Sequence, residues 1–83
     1  MYAVRNYYEF NALCRQEPKM TKRRLEILMA ASIGYMAGLR TAGMKTGDPA
    51  LNDASSCNME IQRYAREALA MKLPGWETYE AKT

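Results

Sequence analysis

Apolar residues dominate one stretch of the chain, LEILMAASIGYMAGLRTAGM, in which no charged side chain falls between Glu26 and Arg40. Leu25, Leu28, Met29, Met36 and Leu39 recur at the spacing of one side of an α-helix, and Ile27 with Ala30, Gly34, Gly38 and Ala42 forms a second apolar side. Positions four apart lie nearly above one another, so the four small residues make a shallow groove that admits a second helix at close range. A glycine inside a helix costs about 1 kcal/mol against alanine, so Gly34 and Gly38 predict that the groove is filled, either by another helix of the chain or by a partner. A helix apolar nearly all round is expected to be the central one, packed on more than one side.

The boundaries follow from capping residues. Thr21 suits the start of a helix over 22–42, with Gly43 as its stop. Gly47-Asp48-Pro49 combines a turn glycine, a capping aspartate and a proline suited to the first helical position, so a third helix is expected over 49–73. Its apolar face is Cys57, Ile61, Tyr64, Ala68 and Met71, extended by Leu51 and Ala54; Ala54, Ala65 and Ala68 are small enough to nest in the glycine groove. Leu73-Pro74-Gly75 ends this helix, and Trp76 and Tyr79 follow in a short aromatic tail, either a lid over the core or an anchor for a partner.

The first segment has two readings. Tyr7, Tyr8 and Phe10 favour a strand, whereas Ala3, Tyr7, Phe10 and Cys14 keep helical spacing and Arg5 with Glu9 would make an i,i+4 pair. A lone strand has no evident partner here, so a helix over 3–16 is preferred, closed by Gln16-Glu17-Pro18. The fold class is therefore all-α: a compact three-helix domain spanning residues 1–83, with helix two against helix three at its centre.

At 83 residues the core is thin, because a domain this small buries only about 60 to 65 per cent of its unfolded surface and is commonly rescued by disulfides, metals or association. Cys14 and Cys57 have apolar neighbours and suit buried free thiols better than a disulfide. With no histidine and no C-x-x-C spacing, no metal or other cofactor is expected. Association is the remaining route, and it includes a homodimer with the groove Ala30, Gly34, Gly38 and Ala42 as its seam. The N-terminal MYAVRNYYEF lacks the apolar run of a secretory signal, and the uncharged window is short for a membrane span, so a cytoplasmic protein is expected. Small residues every fourth position also occur in membrane helix pairs, which keeps a peripheral membrane role as an alternative.

Histidine is the commonest general base, and its absence removes the usual Ser-His and Cys-His nucleophiles. Glu60 and Glu67 flank Arg63 at helical spacing and read as solvated ion pairs; no phosphate-cradling glycine loop is present. A non-enzymatic protein is the expectation. The net charge of +3 is unevenly placed: eight basic residues face three acidic ones up to residue 45, a balance of +5, and four face six beyond it, a balance of −2. Lys19, Lys22, Arg23 and Arg24 gather where the second helix begins, and cations there oppose the helix dipole at about 0.3 to 1 kcal/mol each. Either they are solvated or paired with the acidic third helix, or an external partner offsets them.

Arg15, Lys19, Lys22, Arg23 and Arg24 are thus candidate contacts for an acidic protein surface or a nucleoprotein complex, with Tyr7, Tyr8, Trp76 and Tyr79 as candidate aromatic anchors. Direct binding of nucleic-acid phosphates is the alternative. A helix-turn-helix does not fit, since Arg40 stands where the recognition helix buries an aliphatic residue and Ile33-Gly34-Tyr35 is no polar turn. The expected function is that of a non-catalytic helical adaptor or inhibitor. In brevity and lack of catalytic motifs the chain is similar in style to small accessory proteins of bacteriophages and mobile elements, some of which block host machinery such as CRISPR complexes.

Overall fold

Asn6, Thr21 and Asp48 hold extended backbone and start the three helices, α1 (Tyr7–Gln16), α2 (Lys22–Thr41) and α3 (Pro49–Met71). This computed structural model describes residues 4–73, 75 and 76. Asn6 Oδ1 accepts from the Glu9 amide at 2.9 Å and Thr21 Oγ1 from the Arg24 amide at 3.2 Å, each satisfying a first-turn donor that the helix cannot. Because Asn6 caps α1, Arg5 precedes the helix and the expected pairing of Arg5 with Glu9 along it does not arise. The aspartate before Pro49 also behaves differently from expectation. The Asp48 carboxylate turns away from α3 and accepts from the Lys45 amide at 2.9 Å, so it shapes the α2–α3 loop, while Pro49 opens the helix.

The helix stops are backbone events. After α2, Gly43 adopts φ +101°, a conformation open to glycine, and the Met44 amide returns to the Leu39 carbonyl at 3.0 Å. After α3, Lys72 takes the left-handed region at φ +53° and the Leu73 amide reaches the Ala68 carbonyl at 3.1 Å. The helix therefore ends at Met71, before the expected Leu73, and Met71 is left exposed instead of joining the apolar face.

Packing makes α3 the central helix, not α2. The third helix packs against both α1 and α2, which do not pack on each other. Its buried arc is wide enough for two neighbours: Leu51, Ala54, Cys57, Asn58, Ile61 and Ala68 are all buried. On one side Tyr64 receives Phe10 edge-on, with ring centroids 6.0 Å apart, and Cys57 Sγ lies 3.7 Å from the Val4 carbonyl oxygen. On the other, Ala65 and Leu69 share a small cleft with Leu25, Met29 and Trp76. Trp76 closes the far end, buried, its Nε1–H donating to the Met20 carbonyl at 2.9 Å.

The central-helix expectation failed because it counted apolar residues without asking which stripe was wide enough. Only Leu25, Leu28 and Ser32 of α2 are buried. Ser32 lies between the Leu25/Leu28 row and the half-buried Met36, at the middle of the inward stripe, and a hydroxyl hid it from a search for apolar positions.

The glycine groove faces outward. Ala30, Gly34, Gly38 and Ala42 are all exposed, and a Cβ added to Gly34 or Gly38 would meet nothing within 4 Å. The nesting of Ala54, Ala65 and Ala68 into that groove is therefore corrected: Ala54 and Ala68 are buried elsewhere in the core, and the α2–α3 contact runs through full-sized side chains. Since nothing among the described residues needs these glycines small, Gly34→Ala should stabilise the isolated protein by about 0.5 to 1 kcal/mol. Urea denaturation of the wild type and variant at high dilution measures this gain directly. Among the described residues, no helix is long and apolar enough to cross a membrane.

Candidate interaction surfaces

The basic cluster forms around the α1–α2 connection. Arg24 leaves the first turn of α2 and grips Glu17 with a two-pronged bond, Nε to Oε2 at 3.1 Å and a terminal amine to Oε1 at 3.2 Å. This fork ties the connecting loop to α2, so the Arg15 to Arg24 segment is held as one shoulder. Lys22 pairs with Glu26 one turn later at 3.6 Å. The acidic third helix supplies none of these partners, because Glu60 and Glu67 are engaged by Arg63 at 2.7 Å and 3.7 Å, as their spacing predicts.

Arg15, Lys19 and Arg23 remain. All three are exposed and make no ion pair among the described residues. Arg15 sits in the last turn of α1, where a cation complements the helix dipole, but Arg23 sits in the first turn of α2, where it opposes it and no acidic side chain is present. Three unpaired cations therefore share a shoulder that two carboxylates already stiffen.

The aromatic candidates separate. Tyr8 is 69 % exposed and its ring lies 4.0 Å from that of Tyr7. Tyr7 with Ser56, Met59 and Glu60 lines a shallow cleft of about 200 Å³. Trp76 is only 3 % exposed, so it is a lid on the core and is withdrawn as an anchor. Tyr79 lies outside the described residues. The best-formed clefts among the described residues hold about 150 to 210 Å³, below the roughly 300 Å³ where small-molecule sites begin.

Both cysteines are free. Burial pushes the Cys57 thiol up to about 11 from its ordinary 9.0, helped by the nearby charges of Glu9 and Glu60; burial and Glu17 raise Cys14 as well. A protonated, enclosed thiol is a poor nucleophile. Alkylation of Cys57 in the native protein should therefore proceed only as fast as the chain unfolds, with Cys14 reacting sooner. The folded state holds the Cys57 proton more tightly than the unfolded chain, so this contribution to stability is complete below pH 9.0 and is lost as the pH rises towards about 11. A titration of unfolding free energy across that window checks the sign. No cluster of three or more cysteine or carboxylate side chains among the described residues is placed to hold a metal. Comparison of the chain with protein-family models, curated proteins and solved structures finds no match.

Proposed function

We propose that this protein is a non-catalytic adaptor or inhibitor that docks its basic shoulder on an acidic surface of a larger macromolecule. The observation that carries this reading is the set Arg15, Lys19 and Arg23, exposed and without carboxylate partners among the described residues, on a segment that the Arg24–Glu17 fork holds in place. A preorganised patch of one sign raises encounter rates and selects partners more than it adds affinity, which suits recognition of a charged protein surface. Tyr8 and Met59, both exposed, supply apolar contact area of the kind that anchors interfaces.

The magnitude of the charge favours a protein target over naked nucleic acid. Three available cations would displace only about three counterions, whereas proteins that grip duplex DNA through its backbone make roughly six to ten phosphate contacts. Inhibition of a host complex that handles nucleic acid, of the sort that small phage proteins practise, agrees with this patch because such complexes display both acidic protein and phosphate.

The test is a triple variant, Arg15→Glu with Lys19→Glu and Arg23→Glu. Native-host extract should yield a partner that co-purifies with the wild type at mild salt and is lost with the variant, while helix content and melting temperature stay close to wild type. Retention of the same partner by the variant would refute the basic shoulder. Tight duplex DNA binding by the purified protein, falling by more than five powers of ten for each tenfold rise in salt, would overturn the protein-surface reading in favour of phosphate contact; a slope that steep corresponds to about six neutralised phosphates.

A further inference from the structure

We infer that the outward face of α2 is the seam of an antiparallel homodimer of this chain. This inference rests on residues other than those of the docking reading above, Arg23 alone being shared. The face runs from Ile27 to Leu39 without a charged side chain, and it leaves Ile27 39 % and Ile33 53 % exposed. Ala30, Gly34, Ala37 and Gly38 lie between and beside them, also exposed.

The charges choose the occupant. Glu26 and Arg40 stand seven residues before and seven after Ile33, so all three fall along one edge of the exposed face, two helical turns apart. Glu26 is 61 % exposed beyond its pairing with Lys22, and Arg40 makes no ion pair among the described residues. A second copy laid antiparallel about a two-fold axis at Ile33 brings the Glu26 of each protomer level with the Arg40 of the other, twice over. The same register sets Ile33 against its own counterpart and brings the bulk of Ile27 within one residue of the level of Gly38, on the same side of the face. A parallel pair would instead stack Glu26 on Glu26 and Arg40 on Arg40, so it is disfavoured.

Arg23 supports the antiparallel register. In its own helix it is a cation at the wrong pole. In the pair it falls level with Gly43 of the second copy, beside that helix's C-terminal carbonyls, where a cation is favoured. Gly34 and Gly38, beside which no described residue lies within 4 Å of an added Cβ, let the two backbones approach. An adaptor built this way presents two basic shoulders at opposite ends of one particle.

Sedimentation equilibrium of the full chain at low salt should show a reversible dimer. Gly34→Leu, which has room within the monomer, should sediment as a monomer while keeping its helix content. Glu26→Arg and Arg40→Glu should each weaken association by about tenfold by turning two attractive pairs into repulsive ones, and the two changes combined in one chain should restore it. With Cys14→Ser as background, Ile33→Cys should cross-link on oxidation and Ile27→Cys should not, because only the residue at the axis meets its own copy within the reach of a disulfide. A wild-type monomer at every concentration overturns the inference. So does a dimer indifferent to Gly34→Leu, a charge double variant that stays dissociated, or equal cross-linking at Ile27→Cys and Ile33→Cys.

Discussion

Trp76→Ala is expected to lower the unfolding free energy by about 3 to 5 kcal/mol, the cost of emptying a large aromatic site from a core that collapses only in part. A domain of 83 residues is stable by only about 4 to 12 kcal/mol, so this one change removes a large share of the whole. Two effects combine in the loss. The indole is 3 % exposed and covers the end of the α2–α3 contact, and its Nε1–H satisfies the Met20 carbonyl at 2.9 Å. Trp76→Phe separates them: it keeps most of the apolar bulk, drops the donor, and should cost about 1 kcal/mol for the hydrogen bond plus the volume difference. Urea denaturation followed by circular dichroism measures both variants. A loss under about 1 kcal/mol for Trp76→Ala would show that the tail residue seals nothing, against the packing described for it.

The second large effect concerns α1. Phe10→Ala should cost about 3 to 5 kcal/mol, and the loss should be concentrated in the first helix. With ten residues, α1 is shorter than the roughly 12 to 15 that an isolated helix needs in water. Phe10, 1 % exposed and set edge-on against Tyr64 at an interplanar angle of 87°, is its only buried residue, so docking on α3 is what keeps it helical. Native-state hydrogen exchange on Phe10→Ala should therefore show α1 amides losing protection while those at the centre of α3 keep theirs. Equal loss across all three helices would mean that the domain opens as one unit and that α1 is no separable element.

These two residues also show where sequence and fold part company. Phe10 was legible as core because Tyr7, Phe10 and Cys14 share a helical face. Trp76 was ambiguous between lid and anchor because an aromatic beyond the last helix has no periodicity to place it; the partner that decided it, the Met20 carbonyl, lies 56 residues away in the chain. Of the basic cluster, the sequence shows five residues, but not that Arg24 is committed to Glu17 and Lys22 to Glu26, which leaves Arg15, Lys19 and Arg23 without an ion pair among the described residues. Asn58 escaped notice altogether. It is buried beside the apolar row of α3 with Oδ1 accepting from Gln62 at 2.7 Å, and no periodic search for hydrophobic positions would select it.

The glycine groove gives the sharper lesson. Local pattern correctly found a stripe of small residues on α2, and helix propensity correctly implied that such a stripe is costly, but neither says on which side of a helix the rest of the chain will lie. That choice belongs to the long side chains: Leu25 and Leu28 bury more apolar area than glycine and alanine have to offer, so α3 packs there and the small stripe is turned to solvent.

Capping residues, glycine and proline stops, and apolar spacing act within a few residues of themselves, which is why the chain alone determined three helices and most of their ends, though α1 begins at Tyr7 instead of residue 3 and α3 stops at Met71 instead of residue 73. Which helix lies at the centre, which face of α2 is left bare, and which cations keep no partner depend on contacts between residues far apart in sequence. Burial is a property of the assembled surface, and no local pattern contains it.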